Sequence, residues 1–305
     1  MTPPNPTFIM VLLLEIVIVL SIACVAIVIV SFILSWRITR PGKHTYWDEY
    51  TFLPSDMGAP FETVHFTTPD GLRLAGWLMT QPGSKATIVM ASGYRDRKTS
   101  LLPIAAGLWR QGFNVFLFDF RNQGESQMDN VQTMGWRERQ DMEAAIDEVI
   151  KRLPTTRIGL LGWSMGAAVS IFSAASNQQI AAVVADSAYA DQTSPIAYNF
   201  RQSLPLPAIP FVQIAEWFTL ARAGYRPSRV RPEDVVGRIA PRPILFIHAE
   251  QDDMCPVNDA HRLFAHAGEP KELWLQPKAK HVGAYFVDPD AYIARVGTFF
   301  AQHLA

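Results

Sequence analysis

Arg157-Ile158-Gly159-Leu160-Leu161-Gly162-Trp163-Ser164-Met165-Gly166-Ala167-Ala168-Val169-Ser170-Ile171-Phe172 decides how this chain is read. Its first five residues fit a strand with both faces buried, and the small residues from Ala167 onward fit a helix. Only Gly162-Trp163-Ser164-Met165-Gly166 separates the two, so the backbone must fold over itself inside that turn. Glycine at 162 and 166 removes the Cβ atoms that would clash there. The turn lifts the Ser164 hydroxyl clear of the sheet and leaves the backbone N–H of Met165 on the same side. Ser164 is therefore a candidate nucleophile, against the plainer reading of a Gly-flanked strand end.

Working outward, short apolar runs alternate with helical patterns from Phe61 to the C-terminus. The expected strands are 62–68, 73–80, 86–91, 114–119, 157–162, 181–185, 243–249 and 271–276. Pro69-Asp70-Gly71 joins the first two as a tight turn, so they form an antiparallel hairpin. The later runs are almost continuously apolar, as in a largely parallel sheet covered by helices on both faces. Helices are expected at 100–111, 135–153, 165–176, 257–267 and 288–304. In the second of these, Met142, Ala145, Ile146, Val149, Ile150 and Leu153 share one stripe. Its other side, including Arg137, Glu138, Arg139, Asp141 and Glu143, reads as a solvated surface.

The N-terminus is of another kind. Between Phe8 and Leu34 only Glu15, Ser21 and Ser31 bear polar side chains, a run longer than the ~20 residues that cross a bilayer. No Lys or Arg precedes it, which argues against a secretory signal peptide. Ser21 stands where a lipoprotein site ending at Cys24 would carry Leu. Residues 1–36 are expected to be a single-pass transmembrane anchor, 37–60 a juxtamembrane connector and 61–305 the folded domain. Arg37, Arg40 and Lys43 follow the span, with Trp36 as an interfacial ring, so the domain is expected on the cytoplasmic side.

The formal net charge of −1 gives no polyanion-binding face, and nucleic acid is not an expected partner. Cys24 lies in the apolar run and Cys255 in a loop, so no intradomain disulfide is expected. An insertion at about 187–240 is rich in proline and aromatics (Tyr189, Tyr198, Phe200, Phe211, Trp217, Phe218, Tyr225). Insertions of this length are usually lids or binding loops, with a packed side wall as the alternative.

The turn around Ser164 resembles the nucleophile elbow of the α/β-hydrolase superfamily, and four further motifs follow that family's order. Ile247-His248-Ala249-Glu250-Gln251-Asp252-Asp253-Met254-Cys255-Pro256-Val257 is similar to its acid-bearing segment after the seventh strand, which puts Asp252 in the acid position with Asp253 and Glu250 as rivals. His281, on the loop Pro277–Tyr285, falls where the family carries its base, although Lys280 replaces the usual glycine. Ala91-Ser92-Gly93-Tyr94 is similar to the oxyanion loop, with Ser92 in place of histidine; it implies the Tyr94 backbone N–H as partner to that of Met165. Asp119–Ser126 resembles a structural turn at the pocket rim.

The resemblance, closest to serine aminopeptidase-like and lysophospholipase-like hydrolases, covers about Glu62 to the C-terminus. It implies an eight-stranded α/β-hydrolase fold with a short lid, preceded here by one transmembrane helix. It also implies a serine hydrolase acting on an ester, thioester or amide through Ser164, Asp252 and His281, without metal or organic cofactor. The expected partner is a small acyl substrate, a lipid among the options. An acyltransferase on the same fold and a non-catalytic binding protein are the alternatives.

Overall fold

The chain forms strands β1 (Glu62–Thr67), β2 (Arg73–Met79), β3 (Ala86–Ala91), β4 (Asn114–Phe118), β5 (Arg157–Trp163), β6 (Ile180–Asp186), β7 (Ile244–Ala249) and β8 (Lys271–Gln276). They make one sheet in the order β1-β2-β4-β3-β5-β6-β7-β8, with β5 near its centre. β1 pairs antiparallel with β2, and β2 with β4; every other pairing is parallel. The computed structural model describes residues 6–42 and 52–304, so Lys43, His44 and the middle of the connector lie outside the described residues.

The helices are α1 (Pro6–Thr39), α2 (Leu102–Arg110), α3 (Glu138–Arg152), α4 (Met165–Ser176), α5 (Thr193–Ser203), α6 (Phe211–Ala223), α7 (Asn258–His266), α8 (Ala284–Val287) and α9 (Pro289–His303). The helix expected from residue 100 begins instead as a tighter turn, Lys98–Leu101, before α2. Pro103 suits that first α-helical turn, where its missing N–H has no intrahelical partner to lose.

Adjacent residues of the central strands feed two cores on opposite faces of the sheet. Val89, Phe116, Leu160, Val183 and Phe246 pack with Met142, Ile146, Val149 and Val169 from α3 and α4. Ile88, Leu117, Leu161, Val184 and Ile247 pack with Ile104, Leu108, Val296 and Phe300 from α2 and α9. Burial on both faces is why these strands read as unbroken apolar runs.

The charged side of α3 corrects one expectation. Glu138 and Asp141 are fully buried rather than solvated. Asp141 pairs with Arg121, itself fully buried, at 2.6 Å. Glu138 accepts from the Thr133 hydroxyl at 2.6 Å and the Gly135 N–H at 2.8 Å. Each carboxylate thus finds donors from the turn after β4, which lets a charge leave water.

Among the described residues one helix, Ile9–Thr39, is long and apolar enough to cross a membrane. Its C-terminal third is not isolated from the domain. Ile27, Val30, Leu34 and Ile38 pack against Ile196, Phe200, Phe211 and Val212 of α5 and α6. The hydroxyls of Ser35 and Thr219 are 2.9 Å apart across this buried contact. The remainder of the insertion, from residue 225 to 240, packs as a wall, with Val230, Val236 and Ile239 buried.

Candidate active site

Ser164 occupies the sharp turn between β5 and α4, with φ +52° and ψ −115°. A left-handed conformation at a non-glycine residue costs about 1–3 kcal/mol and persists only where its surroundings enforce it. Here the enforcement is close packing. A Cβ on Gly162 would fall 2.3 Å from the Gly166 carbonyl carbon, and one on Gly166 would fall 2.2 Å from the Ala91 oxygen. The Ser164 N–H donates to the Asp186 oxygen at 2.8 Å, tying the turn to β6.

The structure brings Ser164 together with two residues far along the chain. His281 Nε2 is 2.9 Å from Ser164 Oγ, and His281 Nδ1 lies 2.8 Å and 3.0 Å from the two carboxylate oxygens of Asp252. A carboxylate at Nδ1 holds the proton there and leaves Nε2 to accept from the hydroxyl. Asp252 is fixed by the N–H groups of Met254 and Cys255, at 2.8 Å and 2.7 Å. The rival acids point elsewhere: Glu250 and Asp253 are exposed, and Asp253 faces Lys280 at 3.4 Å. Of the other described histidines, His65, His261 and His266 are exposed and His303 packs edge-on against Phe299.

The loop after β3 passes directly beside Ser164. A Cβ on Gly93 would lie 3.4 Å from the Ser164 Cβ, so Tyr94 follows immediately at the mouth of the turn. Met165 opens α4, where first-turn N–H groups have no intrahelical acceptor. Gln123 holds the loop in place, a role not foreseen from the sequence. Its amide donates to the Gly93 oxygen at 2.8 Å and accepts from the Ser92 hydroxyl at 3.3 Å. The signal available was its place in the Asp119–Ser126 turn, opposite a serine too short to reach far.

Three buried groups surround the cluster. Burial pushes the Asp186 carboxyl up to about 7, against hydrogen bonds from Tyr292 and Ser187 at 2.9 Å and 3.0 Å. Ser187 also accepts from the N–H of Val282, next to His281, at 3.2 Å. Burial lowers the His248 imidazole below its usual range, so it is neutral at pH 7 and its Nε2–H faces the Cys255 oxygen at 3.0 Å. Burial likewise pushes the Cys255 thiol well up, keeping it protonated.

Ser164 and His281 open onto a mostly apolar cavity of about 590 Å³. Met134, Tyr189, Met254 and Cys255 line it, together with Pro195, Ile196, Asn199 and Phe200 of α5. Val30, Ile33, Leu34, Arg37 and Ile38 of α1 complete it. A hydroxyl, an imidazole and a carboxylate in sequence beside an apolar cleft can perform nucleophilic acyl chemistry on a substrate with an apolar body.

A sheet of this order with a hydrogen-bonded serine at the carboxyl end of its central strand defines an α/β hydrolase. The family described as serine aminopeptidase, S33, matches residues 82–236, just over half of the 305, and the chain belongs to that family. YfhR of Escherichia coli K12 is 30% identical over 250 residues, 79% of this chain and 79% of that protein. The polyketide transferase grgF of Penicillium sp is 28% identical over 290 residues, 81% of this chain and 98% of its own length. The esterase Pf2001 of Pyrococcus furiosus superposes with a TM-score of 0.73 at 26% identity, covering 87% of this chain and 98% of that structure.

Proposed function

We propose that the protein is a membrane-anchored serine hydrolase that cleaves a carboxylic ester, thioester or amide through a covalent acyl-enzyme. The observation that carries this reading is the pair of contacts at His281, to Ser164 at 2.9 Å and to Asp252 at 2.8 Å. Ser164 attacks the substrate carbonyl as His281 Nε2 takes the hydroxyl proton, and Asp252 stabilises the resulting imidazolium. The N–H groups of Met165 and Tyr94 receive the developing oxyanion, each contributing about 3–4 kcal/mol. His281 returns the proton to the leaving group, and water then repeats the sequence on the acyl-enzyme. Nothing in this cycle calls for a metal or organic cofactor.

The length and composition of α1 support anchoring as a single-pass segment. Arg37 and Arg40 on its C-terminal side favour a cytoplasmic domain. Fusing alkaline phosphatase to the C-terminus tests the orientation, and periplasmic activity would reverse it.

Similarity to a polyketide transferase favours a second reading, in which an alcohol or amine replaces water as the acyl acceptor. The full chain in detergent, given p-nitrophenyl esters with and without added glycerol or amines, separates the two. Serine hydrolase activity is expected to be lost in Ser164→Ala; full turnover by that variant removes the mechanism. Accumulation of acylated acceptor in place of free acid favours transfer.

A further inference from the structure

α1 does more than lie beside the domain. Its domain-facing side lines the same cavity as Ser164 and His281: Val30, Leu34 and Ile38 pack against Ile196 and Phe200 of α5, and half-exposed Ile33 lines the cavity beside them. From Val30 to Ile38 the helix rises about 12 Å, a wall against which a decanoyl chain extends and an acetyl group does not.

Polar contacts hold the C-terminal half of this wall in register. The Ser35–Thr219 hydroxyl contact joins α1 to α6 within the apolar interface. At the C-terminal end, Tyr94, Arg95 and the Gln132 N–H bind the carbonyl oxygens of Ile38, Arg40 and Thr39, at 2.8 Å, 2.6 Å and 3.0 Å. Two of these three residues belong to the loop beside the nucleophile, so the position of α1 is coupled to the oxyanion loop. The lid next to α1 also exposes Leu204, Leu206, Ile209 and Trp217. Leu204 also lines the cavity, so this exposed apolar surface meets the cavity beside a helix suited to the bilayer.

We propose that α1 forms one wall of the acyl-binding pocket, and that the substrate is a membrane-borne ester whose acyl chain lies along Val30, Ile33, Leu34 and Ile38. This rests on the serine hydrolase reading above. The chain passes from the bilayer into the cavity along α1, and the ester carbonyl comes to rest at Ser164. The anchor thereby sets which acyl chains are accepted.

The test uses the full chain in phosphatidylcholine–phosphatidylglycerol nanodiscs, with a decyl fluorophosphonate carrying a terminal diazirine. Ser164 Oγ bonds to phosphorus, fluoride leaves and His281 takes the hydroxyl proton; irradiation then marks what the chain touches. Crosslinks within Ile27–Thr39 are expected. Crosslinks confined to other segments overturn the wall while leaving the hydrolase reading intact. An unlabelled Ser164 overturns the hydrolase reading, and the wall with it.

A second measurement compares decanoate and acetate esters. In Leu34→Trp the ratio of their kcat/KM values is expected to fall by about tenfold or more, as an obstructed apolar subsite dictates. Ile29→Trp, on the outward side of α1, keeps the wild-type ratio. An unchanged ratio in Leu34→Trp overturns the proposal.

Discussion

The Tyr94 hydroxyl donates to the Ile38 carbonyl oxygen at 2.8 Å, joining the loop beside Ser164 to the last turn of α1. Helix ends leave carbonyl groups without intrahelical donors, and a side chain can satisfy them. Burial pushes the Tyr94 phenol up to about 12, so it remains a donor throughout the working pH range. Tyr94→Phe preserves the backbone N–H while deleting this bond. We expect a loss of about 1 kcal/mol of stability, read as a lowered Tm of the full chain in detergent. An unchanged Tm would mean that the contact contributes nothing to docking α1.

The acid assignment gives a sharper contrast. Asp252→Asn removes the carboxylate that fixes the His281 tautomer, and kcat on a short ester is expected to fall by about four orders of magnitude. Asp253→Asn, at an exposed neighbour facing Lys280, is expected to keep near wild-type kcat. Steady-state turnover of p-nitrophenyl acetate by both variants checks this. Equal losses at the two positions would break the assignment.

What the sequence disclosed follows from how local each constraint is. The Ser164 turn was legible because strand, glycines and helix are contiguous, and the close approaches at Gly162 and Gly166 are their direct result. Asp252 and His281 could be named as candidates because they lie in loops after successive strands of a regular sheet. Glu138 and Asp141 were misread because their partners, Thr133 and Arg121, lie in an irregular segment that shows no periodicity. Charged residues without a visible partner are ordinarily solvated. The docking of α1 was hidden for a different reason: its protein-facing and outward sides are equally apolar, so hydropathy does not distinguish them. Ser31, Ser35 and Thr39, four residues apart and all buried, were the one mark of the packed side.

Gln123 offers a test of how the loop beside Ser164 is held. Its amide donates to the Gly93 oxygen, and Gln123→Ala leaves that carbonyl without the bond while Ser164 and His281 stay intact. On the mechanism proposed above, this displaces the Tyr94 N–H from the oxyanion, and kcat is expected to fall by between about tenfold and a hundredfold, less than on outright removal of a donor. KM is expected to change little, because the lost interaction acts mainly in the transition state. A rise in KM at constant kcat would instead place Gln123 in ground-state binding.

Asp186 makes stability depend on pH in a definite direction. Its carboxyl is raised from 3.8 to about 7 by burial, so the folded protein keeps a proton that the unfolded chain has released. Between those two values the folded state binds more protons, and stability falls as pH rises, by up to about 1.4 kcal/mol per unit. Below 3.8 the group imposes no penalty, and above about 7 the penalty is constant. Asp186→Asn mimics the protonated carboxyl and retains an acceptor for Tyr292, so it escapes this dependence. The Tm difference, variant minus wild type, is expected to grow between pH 4 and 7 and then level off. A difference that stays flat across that range would show that Asp186 is ionised in the folded protein.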